Sequence, residues 1–493
     1  MERALQMPEI VLEILENFEF LDADSDSQSR NTLATVARSC KTLSSMALDI
    51  LWRGPLSMIQ IFGVIPSLRY NDTTRMFGFS GIIKHEDWVR FESYASRVHR
   101  IEEEGETPLE SLVFIRTAQY LQGRPMFPSL KYLLRCNSSI ILPLLVSPSL
   151  RAINLVEDNP SGSQITLIQC ICDGSPSLKH FGFCGDLERS SYELLSQLSY
   201  LHHLEIIGDV IPVDIIASFK SLTHLILTTK ISETFHSVDR KPFGFQDLRN
   251  LKFTAPPKFI LSMLKAFSTS PLQDLNCTVT HTQNGAVTLA EWTDAINIIS
   301  SWASTLCHVQ LKYYSKIIPS TTTIIEGFSY LQDLLSCHQL KKLVVRNKFT
   351  TLLSDDNFTR LSAAWPNLEE LVLHGDVPKV LDQLASKASL KVIAKCLPKL
   401  RVLNVPLNLG GVSLKEPRIL ASHQLKSINF ERVFTDDDLI PLARLLDGFF
   451  PSLEVGGNCQ TVTSTERGDQ TQMLNNLLFL CQDARANRLQ VVE

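Results

Sequence analysis

Pro176-Ser177-Leu178-Lys179-His180-Phe181-Gly182-Phe183 and Leu201-His202-His203-Leu204-Glu205-Ile206 share one arrangement. An apolar residue is followed by two free positions, a second apolar residue, one free position and a third apolar residue. Upstream the same arrangement reads Leu109-Leu112-Phe114 and Leu150-Ile153-Leu155, and Leu130-Leu133 opens another. Downstream it reads Leu222-Leu225-Leu227, Leu248-Leu251-Phe253, Leu272-Leu275-Cys277 and Leu306-Val309-Leu311. It continues as Leu340-Leu343-Val345, Leu368-Leu371-Leu373, Leu400-Leu403-Val405 and Leu425-Ile428-Phe430, and Leu453 opens a degenerate last copy. In a strand, residues two apart share a face, so the last two apolar positions point into one core. The first lies in the turn before the strand. Pro128-Ser129, Pro148-Ser149, Pro176-Ser177, Pro366-Asn367 and Pro398-Lys399 mark that turn chemically.

Successive copies start 20 to 34 residues apart, with a mean of roughly 26, which is the spacing of leucine-rich repeats. Amphipathic stretches of helical length separate them, for example 289–303, 359–365 and 380–396. One such unit cannot bury its own apolar face and must stack on its neighbours. The expected fold is therefore α/β: an irregular leucine-rich-repeat solenoid with short parallel strands on a concave face and helices on a convex face. The strict asparagine or cysteine of the ordinary repeat is missing. An α-helical repeat fold is the structural alternative.

The N-terminus is built differently. Met7, Ile10, Val11, Ile14, Leu15 and Phe18 recur at helical spacing, with Pro8 suited to a first turn. A polar acidic loop over 22–29 follows; its Ser25, Ser27 and Ser29 read as phosphorylation sites or as part of a flexible spacer. A second helix from about Thr32 stripes Leu33, Val36, Ala37 and Cys40, and a third carries Leu43, Ala47, Ile50 and Leu51. Trp52-Arg53-Gly54-Pro55 ends it.

The stretches Met7-Pro8-Glu9-Ile10-Val11-Leu12-Glu13-Ile14-Leu15, Leu33 to Lys41 and Ala47 to Arg53 resemble an F-box. Asp87-Trp88, Arg90-Phe91, Tyr94-Ala95 and Arg97-Val98 resemble the segment that follows the F-box in fungal F-box proteins with leucine-rich tails. The acidic loop is longer than the family's, and Met7 stands where the family usually has Leu. The organisation expected is an F-box over 1–55, a helical linker or N-terminal cap over 56–105, repeats over 106–460, and a C-terminal cap or tail over 461–493. The segment 470–485 reads as a capping helix with Met473, Leu477, Leu478 and Cys481 on one face.

The resemblance implies a substrate receptor of a cullin-based ubiquitin ligase. Its F-box would dock on a Skp-type adaptor and, through it, on the cullin and RING subunits. Pro8, Ile10, Val11, Ile14, Leu15, Val36, Cys40 and Leu51 then fall at adaptor-facing or box-core positions, the two roles undivided. The repeats would bind an unidentified protein substrate, and the chain would position that substrate rather than do bond chemistry. The alternative is a repeat scaffold without a ubiquitin role, its N-terminal helices serving as a cap.

Free positions between the apolar ones face outward. Histidine recurs at one slot in His180, His203, His224 and His308, and asparagine at a later one in Asn154, Asn276, Asn404 and Asn429. Lys312, Lys342 and Arg346 add positive charge in the later repeats. His180, His203, His224, His308, Asn276, Asn404, Lys342 and Arg346 are the candidate substrate-binding residues. Either they read a ligand or they form an ordinary solvated strand face.

Composition narrows the function classes. The chain has 493 residues, 44% of them hydrophobic and 20% charged, with a formal net charge of −5. That charge offers no basic footprint for nucleic acid. Glu2, Glu9 and Glu13 interrupt any signal-peptide core, and no apolar run is long enough to span a membrane. Eleven scattered cysteines read as reduced thiols, which points to the cytoplasm or nucleus. Phosphate loops, zinc-protease motifs and nucleophile elbows are absent, and Cys170-Ile171-Cys172 has the wrong spacing for zinc. No catalytic residue, cofactor or metal ligand is assigned. An active site assembled from remote residues is the remaining rival.

Overall fold

The computed structural model describes residues 7–18, 27–102, 108–136, 141–156, 164–209, 211–230, 245–280, 289–313, 324–326, 329–346, 350–374, 384–409, 423–430, 439–453 and 465–490. Two compact units divide the chain, Met1–Ile226 and Leu227–Glu493.

The first unit opens with three helices: α1 (Pro8–Glu16), α2 (Ser27–Ser39) and α3 (Lys41–Arg53). Helix α2 starts earlier than the expected Thr32 and takes in Ser27 and Ser29, whereas 22–26, with Ser25, lies outside the described residues. Val11, Leu15, Leu33, Ala47 and Ile50 form the core of these helices, with Leu12, Phe18, Val36, Leu43 and Leu51 packed around it. Trp52 packs against Tyr94 at a centroid distance of 4.7 Å, the ring planes tilted by 38°. Arg97 bonds the Ser45 carbonyl at 3.0 Å and pairs with Asp49. The Trp88-to-Val98 segment is thus a packing wedge: Trp88, Phe91, Ala95 and Val98 are buried while Tyr94 and Arg97 grip α3.

Parallel strands then stand side by side in chain order. In the first unit they are Pro55–Leu56, Arg100–Glu102, Tyr132–Cys136, Ala152–Val156, His180–Cys184 and His203–Ile207, followed by the start of His224–Thr228. The strands therefore begin at Pro55, upstream of 106, and the segment expected to be a helical linker includes a hairpin, Leu68–Asn71 with Met76–Phe79. In the second unit the ladder runs Asn250–Ala255, Asp274–Val279, His308–Tyr313, Lys342–Arg346, Glu370–His374, Val402–Val405 and Ser427–Phe430. The in-register partners Asn250, Asp274, His308, Lys342, Glu370, Val402 and Ser427 occupy one slot.

The turn chemistry explains the geometry. In Phe127-Pro128-Ser129-Leu130 the Leu130 N–H closes back on the Phe127 carbonyl at 3.1 Å, and Leu150, Leu178, Leu368, Leu400 and Leu453 repeat that bond. Proline at the second turn position presets φ and has no N–H to leave unpaired. The residue after each turn leucine then presents a carbonyl that accepts two successive N–H groups of the next repeat. His99, which follows Val98, and Lys131, Arg151, Lys179 and His202 do so in the first unit, and Arg249, Gln273, Cys307, Lys341, Glu369 and Arg401 in the second, at 2.7 to 3.2 Å.

One strand reading is corrected. Leu109-Leu112-Phe114 is no repeat strand: Leu109 bridges to Phe77, and Ser111–Leu121 is a helix that buries Val113, Phe114, Thr117 and Leu121. Leu112 is 56% exposed. The true copy begins at Val98, whose N–H closes the turn and whose Ile101 enters the core. At the C-terminus, helix Thr465–Gln490 buries Leu474 and Leu478, whereas Met473 is exposed, so the expected face is rotated. Arg485 fastens this helix to Leu439–Phe449 through Asp447 at 2.8 Å and to the Pro451 carbonyl.

Two outcomes test this packing. Leu133→Ala, at a fully buried strand position, is expected to cost about 2–5 kcal/mol, and Leu112→Ala less than about 0.5 kcal/mol, in denaturant unfolding of the first unit. A comparable loss at both positions contradicts the reassignment. His423 accepts the Leu425 N–H at Nδ1 and so donates from Nε2 to the Leu397 carbonyl at 2.7 Å. Burial, opposed by that bond, holds its pKa below the ordinary 6.5. The unfolded chain binds this proton first, so stability is full above that value and falls as pH drops through it. His423→Gln is expected to make the decline of melting temperature with acidification shallower; an unchanged slope refutes the assignment.

Candidate functional site

Two kinds of surface remain once the core is assigned. The first belongs to the N-terminal helices. Of the eight residues placed there by sequence, Val11 and Leu15 are inside the bundle, and Val36 and Leu51 flank its core. Ile14 is 46% exposed and Met7 is 50% exposed, with Ile10 half-buried on the same helix. Pro8 supplies the first turn of α1. Cys40 begins α3, and the backbone N–H groups of Leu43 and Thr42 lower its thiol pKa. A groove of about 400 Å³ lies beside α3, lined by Leu48, Val89, Arg90, Tyr94 and Arg97. Composition carries no signal for that groove, because it needs α3 and the Trp88 helix side by side.

The second kind of surface is the polar face of the strands. In the first unit His180 pairs in register with His203, and their rings stack at 3.9 Å. His224 continues the stack at 5.4 Å from His203. Parallel in-register pairing forces this, because equal slots on adjacent strands lie side by side. Burial, then the neighbouring imidazoles, push His203 down to about 4, and burial likewise lowers His180. Both rings are neutral near pH 7. His203 Nε2 is buried without a hydrogen-bond partner. Glu205, two residues along the same strand face, stands opposite Gly182. The histidine slot drew attention in the sequence but Glu205 did not; period-two alternation alone could have found it.

His308 belongs to the second unit, where it pairs with Asp274. Lys342 bonds Glu370 at 2.6 Å, so its charge is partly met within the face. Arg346 is exposed and in register with Lys312. Burial, then Arg346, Lys342 and Lys252, lower the Lys312 pKa, the mark of cations crowded on one face. Lys252 was missed for want of a three-dimensional neighbour. Asn276 and Asn404 each keep a buried Oδ1 without a partner. Asn429 lies on the final strand, its side chain outside the described residues.

Nucleophilic chemistry finds little support in the thiols. Burial pushes Cys172 and Cys337 up to about 11, away from thiolate. No helix among the described residues is long and apolar enough to cross a membrane.

No family model matches the chain, and no curated protein matches it. Among solved structures it is similar to an internalin from Listeria monocytogenes, at 12% identity over 91% of this chain and 98% of that chain, with a TM-score of 0.35. A likeness that distant assigns neither family nor activity. The leucine-rich-repeat fold rests on the turns and ladders of the chain itself.

Proposed function

We propose that this chain is the substrate-recognition subunit of a cullin-based ubiquitin ligase. Its three N-terminal helices dock on a Skp-type adaptor, and the polar strand faces hold a protein substrate. The observation that carries the reading is the division of α1. Val11 and Leu15 close the bundle's own core, while Ile14 on the same helix and Met7 just before it are exposed among the described residues. Exposed apolar anchors on a small helical bundle suit a helix-in-groove partner, where a few side chains carry most of the affinity. The chain contributes binding and position, and the cationic group of Lys252, Lys312 and Arg346 suits an acidic segment of the substrate.

A second reading has one observation behind it. Arg30 of α2 donates to the Pro55 carbonyl at 2.8 Å, on the strand that begins the ladder. The helices therefore also cover a sheet end, as a cap does. In a scaffold without ubiquitin chemistry that would be their whole role.

Co-purification separates the two. The full chain is expected to capture Skp-type adaptor and cullin, and Ile14→Asp and Met7→Asp to weaken capture tenfold or more with an unchanged melting temperature. Val11→Asp, which buries a charge in the bundle core, is expected to unfold the helices instead. A folded wild-type chain that captures no adaptor leaves only the scaffold reading.

A further inference from the structure

The polar face of the first unit brings together groups that the interaction reading does not use. His180 and His203 occupy one register level, and Glu205 stands one level on, opposite a residue without a side chain. One ligand atom from each of His180, His203 and Glu205 lies within 4.8 Å of the other two. The two imidazoles stack with their planes 18° apart.

Two further observations favour a ligand there over a mere solvated face. First, His203 Nε2 is buried and has no protein partner, and a ring nitrogen withdrawn from water is costly to leave unmet. Second, Gly182 places no side chain of its own opposite Glu205 and leaves a gap on that strand. A Cβ built at Gly182 would stand about 3.0 Å from the Asn154 amide, so that amide already leans toward the same gap. Asn154, Gly182 and Glu205 thus stand at one register level, beside the level of His180 and His203.

We propose that His180, His203 and Glu205 bind one divalent ion of the zinc class, with the fourth position left to water. Two histidines and one glutamate from a rigid scaffold form a donor set suited to zinc, and mixed imidazole and carboxylate donors discriminate against magnesium and calcium, which prefer oxygen alone. Two of the ligands come from a single strand at i and i+2 and the third from its in-register neighbour. The ladder therefore holds the set in place without a dedicated loop. This site stands whether or not the N-terminal helices engage an adaptor.

The test uses the full chain, stripped with a chelator, kept reduced with a phosphine, and titrated with zinc against a chromophoric competitor. One tight equivalent is expected. His203→Asn and Glu205→Gln are each expected to weaken it at least about 100-fold, and His308→Asn, in the other unit, to leave it unchanged. Zinc that persists undiminished in both variants, or a wild-type chain that takes up no zinc at micromolar concentrations, overturns the proposal. X-ray absorption of the zinc-loaded wild-type chain supplies a readout that needs no variant. Nitrogen and oxygen neighbours alone are expected, and sulfur in the first shell, from any of the 11 cysteines, refutes the site.

Discussion

The forked carbonyl after each turn leucine is the contact on which the repeats depend. A carbonyl oxygen has two lone pairs, so one acceptor can hold two consecutive N–H groups. Lys131, held by both Arg151 and Ala152 N–H, and Lys341, held by both Glu369 and Glu370 N–H, show the same fork in the two units. Each fork starts a parallel strand at a defined register, and everything downstream in that strand inherits it. Because a one-residue slip would send Leu343 and Val345 to the wrong face, the fork and the buried leucine enforce each other. Irregular lengths between strands cost little under this arrangement. One spacer holds helix Asp355–Ala364 and another the 3₁₀ helix Ser329–Ser336, and in both the next turn leucine arrives at its place.

Register also creates the polar faces. Once slots align, residues that are far apart in sequence become neighbours by construction, as His180 and His203 do across one pairing and Lys312 and Arg346 across another. Such faces concentrate whatever they carry. A ladder of stacked imidazoles and a patch of crowded cations are two results of the same geometry, and each invites a different ligand. Lys342 and Glu370 show the other possibility, in which adjacent slots neutralise one another.

The N-terminal helices add a constraint of a different kind. A bundle of this size has few residues with which to make a core, and α1 commits Val11 and Leu15 to it. Anchorage to the following segment comes from Trp52 against Tyr94 and from Arg97 against Ser45 and Asp49, not from Ile14. The bundle is thereby fixed to its own unit while Ile14 of α1 stays exposed among the described residues.

The leucine spacing and the proline-led turns by themselves determined the repeat class, most strand positions and the three helices, because each depends on local periodicity and turn chemistry. Where a competing local pattern was present, the reading went astray. Leu109-Leu112-Phe114 matches the strand template, yet Val113, Phe114, Thr117 and Leu121 bury a helix face, and the genuine copy at Val98 hides behind a valine. The same limit rotated the face of the last helix, whose partners Leu453, Asp447 and Pro451 lie far back along the chain. Which residues of α1 are core and which are surface, that Glu205 joins two histidines, and that Lys252 reaches the field of Lys312 were decided only by tertiary structure. Side-chain periodicity specifies a face, but what stands across from that face depends on non-local pairing, and no local pattern encodes it.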